Sequence, residues 1–228
     1  MNQSIRILAA LAMSASLAAC DFGVFDNYDE PNATLTGRVV HQGQSIGVRS
    51  NGVQLQLWQP GYDLEQSIPV YVAQDGSFSA QLFDGNYRLN LIDGQGPWVN
   101  SSDTLDVQVR GNSTIEVPVT PYYTIDDPTT VHSNGAIEAT FRVGSVNTTR
   151  AVEYVGLYVS TTSFVDRGNM AVRIERPRSA IPSLADPITL SVTLPASLAN
   201  RDDVYARIGV KTVGVSELIF SPVTRIEL

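Results

Sequence analysis

Apolar and polar residues alternate along most of the chain, and this pattern predicts β-strands. Seven stretches between residues 34 and 119 place apolar side chains at every second position, as in VQLQLWQ, where Val53, Leu55 and Leu57 share one face. Successive side chains of a strand point to opposite sides, so this spacing is typical of a strand that is buried on one face only. Such strands must cover their apolar faces with a second sheet, which predicts a two-layer β-sandwich.

A second alternating series follows in AIEATFRV, VEYVGLYVS, ITLSVTL and VYARIGV. Between the two series, PYYTIDDPTT carries Pro121, Pro128 and an Asp-Asp pair, which we interpret as a break in the strand pattern that links two halves. The closing stretch VYARIGVKTVGVSELIFSPVTRIEL resembles the last strands of an immunoglobulin/fibronectin III-like sandwich. We therefore predict an all-β protein with two β-sandwich domains in tandem, at residues 34–122 and 123–228.

Asp-Gly pairs punctuate the first series. The pairs at Asp75 and Asp84 are hairpin signals, because glycine adopts the positive φ that tight turns need. These carboxylates are therefore predicted to shape turns and not to catalyse a reaction. A third pair, at Asp93, opens the longer loop DGQGPWVNSSD.

The first twenty residues, MNQSIRILAALAMSASLAAC, have the layout of a secretory signal, with Arg6, a short apolar run and small residues before the only cysteine. The segment LAAC resembles the bacterial lipoprotein box, which implies a signal peptide at residues 1–19 and a lipid anchor on Cys20. More than one acyl chain there would make membrane attachment stable. An ordinary signal peptide that ends near a cysteine is the alternative.

Residues 20–33 form the predicted lipidated tether, whose sequence DFGVFDNYDEPNA after the cysteine is acidic and irregular. An acidic run at this place resembles the signal that sends lipoproteins to the cell surface, so we expect an outer-membrane protein that faces outward. Calcium binding by Asp26, Asp29 and Glu30 is the alternative, since calcium prefers several oxygen ligands.

Composition excludes some partners. The 228 residues carry a formal net charge of -8, which argues against nucleic acid, because nucleic-acid binding depends on Lys and Arg neutralising phosphates. The one dense basic run, RIERPR at residues 173–178, is interpreted as a solvated edge or loop. A single cysteine allows no disulfide within the chain, so the hydrophobic core must hold the fold together.

Motifs of catalysis are missing from the sequence. His41 and His132 lie far apart and outside any zinc-ligand spacing, and there is no nucleophile elbow or phosphate-binding glycine loop. We predict a protein that is not an enzyme and needs no cofactor or metal. A pair of glycosidase carboxylates is recognised by distance and not by spacing, so the sequence leaves that alternative open.

Aromatic residues in polar surroundings are the candidates for ligand binding. Trp58 lies on the polar face of its strand and Tyr62 follows in a turn, whereas Trp98 lies in a loop beside Gln95 and Asn100. If successive strands run antiparallel, Trp58 and Tyr62 lie at one end of the sandwich and the Trp98 loop lies at the other. One end is expected to face the second domain, so one aromatic group is interpreted as packing between domains, and interface burial or a loop anchor is the alternative for either tryptophan. We predict that carbohydrate binds through Trp98 and the two loops at its end, QGQSIGVRSNG and DGQGPWVNSSD, or alternatively that these aromatics contact a protein.

The stretches LTGRVVHQG, VQLQLW and DGSFSAQLFDGNYRLNL resemble the transthyretin-like or carboxypeptidase-regulatory-like β-sandwich, over residues 34–120. With the lipoprotein box, the chain resembles a family of two-domain lipoproteins of glycan-foraging bacteria whose role is not established. That family is encoded near starch-utilisation-type transporter and binding-lipoprotein pairs. The resemblance implies a non-catalytic accessory of a glycan uptake system that binds carbohydrate, or alternatively an interaction module that docks on the transporter complex without carbohydrate affinity.

Overall fold

The fold is almost entirely β, in a computed structural model that describes residues 29–61, 66–198 and 201–228. Residues Asn32–Leu228 form one compact unit that holds two sandwiches in tandem, so the predicted all-β class is confirmed. No helix in these ranges is long and apolar enough to cross a membrane.

The first sandwich contains eight strands in two sheets. In chain order they are β1 (Ala33–His41), β2 (Gln44–Ser45), β3 (Gln54–Trp58), β4 (Ser67–Tyr71), β5 (Ser77–Leu82), β6 (Gly85–Leu91), β7 (Thr104–Val109) and β8 (Asn112–Pro118). One sheet is built around β1, which pairs antiparallel with β2 and β5 and parallel with β8. The other has the order β4-β3-β6-β7 and is antiparallel throughout.

Alternating burial follows the alternating sequence. On β3, Leu55 and Leu57 are fully buried, whereas Gln56 and Trp58 between and beyond them are half-buried on the outer face. Gly37 occupies an inward position of β1, where an added Cβ would lie 2.3 Å from the ring of Phe78. The missing side chain therefore makes room for an aromatic ring of the core.

The Asp-Gly turns do not form hairpins between paired strands. The turn at Asp75 connects β4 to β5 and the turn at Asp84 connects β5 to β6, and each connection crosses from one sheet to the other. Gly76 has the expected positive φ of 84°, whereas Gly85 already begins β6. The Asp-Gly pairs thus predict correctly where the chain reverses. They do not predict which strands pair, because that depends on which sheet each strand joins.

The second sandwich contains the remaining strands. They are β9 (Tyr123–Ser133), β10 (Ala136–Ser145), β11 (Val152–Ser160), β12 (Val172–Pro177), β13 (Ile188–Thr193), β14 (Asp203–Thr212), β15 (Ile219–Phe220) and β16 (Thr224–Glu227). One sheet has the order β13-β10-β9, and the other has the order β12-β11-β14, with β15 and β16 both beside β14. This division of strands agrees with the expected immunoglobulin/fibronectin III-like sandwich. The basic run at residues 173–178 lies mainly on the edge strand β12.

The interpretation of PYYTIDDPTT as a break is wrong for most of its length. Residues from Tyr123 onward form the edge strand β9, which pairs with β10 through a register shift opposite Asp127. Asp127 has a φ of 48°, typical of a bulge. Pro128 is tolerated there because only one side of an edge strand must donate ladder hydrogen bonds.

The first sandwich has a domain-facing end and a far end. At the domain-facing end, the backbone N–H of Phe220 donates to the Gly47 carbonyl at 2.9 Å, and the side-chain amide of Gln74 donates to the Ser163 carbonyl at 2.8 Å. At the far end, β1 begins with Ala33 paired to Leu82.

Candidate functional site

Trp98 lies at the domain-facing end and is only 4% exposed. Its loop is held against the segment that joins the sandwiches: the N–H of Val99 donates to the Thr120 carbonyl at 2.9 Å, and the N–H of Tyr122 donates to the Pro97 carbonyl at 3.2 Å. A buried indole offers no open face for a sugar. The burial of Trp98 therefore favours the packing alternative of the sequence analysis.

Polar neighbours of Trp98 shape the same loop. The side-chain oxygen of Gln95 accepts from the N–H of Gln54 at 3.3 Å, and the side-chain oxygen of Asn100 accepts from the N–H of Gly94 at 2.9 Å. A Cβ on Gly96 would lie 2.1 Å from the Trp98 ring, so the indole lies directly against this backbone. Gln95 and Asn100 thus have identifiable structural roles.

Trp58 lies towards the far end, on the outer face of the β4-β3-β6-β7 sheet. Successive side chains of β3 point to opposite faces of the sheet. Because the fully buried Leu55 and Leu57 point into the core, Trp58 points outward. Across β3 and β6, Trp58 pairs with Arg88, and Gln56 pairs with Asn90. The expected separation of Trp58 from Trp98 is therefore confirmed, since β3 begins beside the Gln95 loop and ends at Trp58.

A shallow groove of about 370 Å³ opens beside Trp58. We call the surface that lines it the Trp58 face; it consists of Gln56, Trp58, Arg88, Asn90, Leu91 and Thr104. The side-chain amide of Asn90 donates to the Thr104 hydroxyl at 2.9 Å, which holds these two polar groups in place on neighbouring strands. The surface combines a large ring with amides and a hydroxyl, a combination suited to a flat ligand rich in hydroxyl groups.

A second aromatic residue extends this surface. Tyr71 on β4 is 54% exposed and pairs with Gln54, at the opposite end of β3 from Trp58. At ~3.4 Å per residue, the two rings are anchored about 13 Å apart along the strands. The sheet thus presents two aromatic residues on one polar face.

Several predicted residues fall outside the part that the structure describes. Cys20, Tyr62 and the carboxylate of Asp26 all lie there, and their predicted roles stay predictions. Asp29 and Glu30 are described and are exposed. Within the described ranges, no three residues of His, Cys, Asp or Glu are grouped as metal ligands.

The sequence analysis missed Arg207, the most prominent polar residue of the domain contact. Alternation on β14 buries Ala206 and Ile208 towards the core and so predicts an outward, solvated Arg207, yet this residue is 1% exposed. Its guanidinium donates to the carbonyls of Val48 at 2.9 Å and Gln74 in the first domain.

Within the second domain, Arg207 donates to the Ser221 carbonyl at 2.6 Å and lies over the Phe220 ring, 4.6 Å from its centroid. Burial lowers the pKa of Arg207 to about 10, although Asp166 and Asp75 oppose the shift, so the group stays charged at neutral pH. No signal in its own strand marks such a residue, because the groups that bury it come from both domains and are distant in sequence.

Two protein-family models match this chain, and they divide it where the two sandwiches meet. A family model described as "Protein of unknown function (DUF3823) N-terminal domain" matches residues 33–120, and the "Domain of unknown function (DUF3823_C)" matches residues 123–225. No curated protein matches the sequence.

Solved structures match the same region. A DUF3823 family protein from Bacteroides ovatus is 36% identical with a TM-score of 0.81, and the match covers 86% of this chain and 99% of that one. One from Parabacteroides merdae is 35% identical with a TM-score of 0.81, covering 87% and 100%. A Bacteroides uniformis protein described as a "putative carbohydrate binding protein" is 21% identical with a TM-score of 0.69, covering 87% and 100%.

Proposed function

We propose that this chain, which belongs to the DUF3823 family, is a non-catalytic lipoprotein of the outer membrane that binds carbohydrate for a glycan uptake system. The family has no established function, so the proposal depends on the chemistry of this chain. Its relatives in Bacteroides and Parabacteroides are consistent with the glycan-foraging bacteria that the sequence resemblance indicates.

The observation that carries the proposal is the Trp58 face. A tryptophan on the outer face of a sheet contributes nothing to the core, and here Gln56, Asn90 and Thr104 line the same groove with their amide and hydroxyl groups. A ring can stack on the apolar face of a sugar, while amides exchange hydrogen bonds with its hydroxyls. Tyr71 on the same face would hold a further sugar unit of an extended chain.

The Bacteroides uniformis protein is a further reason to test this chain for carbohydrate binding. It shares this fold, and carbohydrate is the ligand class in its description. At 21% identity the likeness extends to the fold alone, so no binding residue is transferred from that protein to this chain.

The direct test is a glycan array, followed by affinity gels, on the soluble chain that begins after Cys20. We expect Trp58→Ala to weaken glycan binding about tenfold or more, because the central aromatic of a site dominates its affinity. Trp58→Phe is the matched control, since it keeps a ring and should keep part of the binding. If a folded Trp58→Ala protein binds glycan as well as the wild type does, Trp58 is not the binding site. If the wild-type chain binds no glycan on the array, the proposal of carbohydrate binding is rejected.

The anchor is tested separately in cells. If Cys20 is lipidated, the protein incorporates labelled fatty acid and fractionates with the outer membrane, and Cys20→Ala abolishes both. Protease treatment of intact cells then distinguishes a protein that faces outward from one that faces the periplasm. Unchanged labelling of Cys20→Ala would reject the anchor assignment.

Docking on a transporter complex is the second candidate function. Exposed aromatic residues favour it, because Phe83 at the far end is 46% exposed and Phe164 in the second domain is 57% exposed. This function predicts co-purification with outer-membrane proteins that survives Trp58→Ala and is lost on Phe83→Ser or Phe164→Ser. Co-purification that depends on neither phenylalanine would argue against these contacts.

A further inference from the structure

The second domain carries a pocket that the proposed function does not use. It has a volume of about 390 Å³ and lies on the outer face of the sheet that contains β11 and β14. We call it the cationic pocket and define it by Arg49, Tyr154, Arg167, Lys211, Glu217 and Phe220. Arg49 comes from the first domain, so both domains build its wall.

Two facing glycines make room for aromatic side chains beside the pocket. Gly156 on β11 pairs with Gly209 on β14, and side chains lean over both, since a Cβ on Gly156 would lie 2.7 Å from the hydroxyl of Tyr158. Tyr158 meets Phe220 edge to face, with ring centroids 5.8 Å apart. The cationic pocket opens beside this aromatic pair, where Tyr154 and Lys211 face each other across the same two strands.

Positive charge is concentrated in this pocket although the whole chain has a net charge of -8. The basic and acidic groups at its wall or in ion pairs with that wall are Arg49, Arg167, Lys211, Glu175 and Glu217. Three cations thus accompany two carboxylates. The groups that line the pocket itself, Arg49, Arg167, Lys211 and Glu217, carry a net positive charge, opposite in sign to that of the whole chain, which favours an anion as the ligand.

Hydrogen-bond donors remain available on these cations. Lys211, the single lysine of the chain, donates to the carbonyls of Val215 and Ser216, while an ammonium has three N–H groups. Arg49 and Arg167 each use Nε and Nη2 on a glutamate, and among the described residues Nη1 of both makes no hydrogen bond. Arg167 also lies over the Tyr154 ring, 5.6 Å from its centroid.

We infer that the cationic pocket binds the carboxylate of an organic ligand, with Lys211 and Arg167 contacting the anion and Tyr154 contacting the ligand's body. Guanidinium and ammonium groups bind carboxylates through strong charge-assisted hydrogen bonds. The ring walls favour an organic acid over a bare inorganic ion. A uronic acid unit of an acidic glycan has both a carboxylate and an organic body. The choice of a sugar acid rests on the proposed function, whereas the binding of an organic carboxylate does not.

The test uses titration calorimetry on the soluble chain with three probes: trigalacturonate, its methyl-esterified form and inorganic phosphate. We expect the free acid to bind about tenfold or more tightly than the neutral ester, because the ester cannot accept charge-assisted hydrogen bonds as strongly. Raising the salt concentration should weaken the binding. Equal affinity for acid and ester, or no binding of either at millimolar concentration, would overturn the inference.

Variants locate the site. Lys211→Gln and Arg167→Gln should each weaken binding of the acid about tenfold, whereas Lys211→Arg should retain most of it. Arg38→Gln is the control, because Arg38 is an exposed cation on β1 that pairs with Glu116. Unchanged binding by Lys211→Gln and Arg167→Gln, or phosphate binding tighter than that of the acid, would overturn the assignment.

The two proposals fail separately. Trp58→Ala removes neutral-glycan binding and leaves acid binding in the cationic pocket intact, while Lys211→Gln does the reverse. A result in which acid and neutral ester bind equally well, and only Trp58→Ala removes the binding of both, supports the proposed function and overturns the further inference.

Discussion

Trp58 and Trp98 are the two tryptophans of the chain, and they lie at opposite ends of one sandwich in opposite environments. Trp98 is packed under the segment that joins the domains, held by hydrogen bonds on both sides of its loop. Trp58 keeps one side on an open polar groove. Polar residues surround both tryptophans in the sequence, so local composition does not distinguish the buried tryptophan from the one on the groove.

Position relative to the second domain is what separates them. The second domain covers the end of the first sandwich that holds the Trp98 loop, and the same contact buries Arg207. In a tandem protein, an aromatic residue at the covered end stabilises the fold, and one on an uncovered sheet face is available for ligand. The following substitutions test this division, beginning with the largest expected effect.

Replacing Trp98 should be the most damaging change to stability. Trp98→Ala removes a buried indole and leaves a cavity under Gly96, so we expect the free energy of unfolding to fall by about 3–5 kcal/mol. Urea unfolding followed by circular dichroism measures it. Trp98→Phe should lose less than the alanine variant. A loss below about 1 kcal/mol would mean that Trp98 contributes no more than a surface residue, and the contrast between Trp98 and Trp58 would then be wrong.

Replacing Arg207 should be the next most damaging. Arg207→Met leaves the carbonyls of Val48 and Ser221 without the Arg207 donor, and the Gln74 carbonyl keeps only the N–H of Val48. The change also removes a buried charge, so the net loss is expected to be about 2–4 kcal/mol. Scanning calorimetry should show the two domains unfolding less cooperatively. Arg38→Met, at an exposed arginine, should change stability by less than about 0.5 kcal/mol. Equal effects of both variants would contradict the interface role of Arg207.

Trp58→Ala should separate binding from stability. Because Trp58 packs on the outer face and not in the core, we expect less than about 1 kcal/mol of lost stability. The same urea unfolding experiment measures this loss beside that of Trp98→Ala. A loss as large as that of Trp98→Ala would mean that Trp58 is also a packing residue, and any loss of glycan binding would then need another explanation.

Most of the fold was predictable because period-two alternation is a local property. The phase of VQLQLWQ placed Leu55 and Leu57 inside and Trp58 outside, and the structure has them so. Counting antiparallel strands was enough to separate Trp58 from Trp98. The count could not tell which end the second domain covers, because that depends on contacts between residues far apart in sequence.

Long-range contacts also account for the errors. Pro128 and the Asp-Asp pair argue locally against a strand, but pairing with β10 and the edge position of β9 outweigh that preference. The Asp-Gly turns predict reversals, yet the sheet that each strand joins is decided by core packing. The alternation along β14 points Arg207 outward, yet groups of both domains bury it, which no pattern in its own strand can reveal.

The smallest expected effect lies at the same covered end, in the turn at Asp75. The Ser77 hydroxyl and N–H donate to the Asp75 carboxylate at 2.6 and 3.0 Å, and mainly the hydroxyl holds the pKa of Asp75 below its ordinary value, although burial opposes this. The ionised carboxylate therefore stabilises the folded state above the unfolded pKa of about 3.9, and this contribution is lost as the pH falls through the lower folded pKa.

Asp75→Asn should thus cost about 0.5 kcal/mol at pH 7, a small value because solvent screens this partly exposed group. Urea unfolding at pH 7 and again below the lowered folded pKa of Asp75 should show the stabilities of wild type and variant converging as the carboxylate is protonated. A difference that is the same at both pH values would mean that the amide loses turn geometry and not charge. In that case Asp75 would act as Gly76 does, through backbone shape alone.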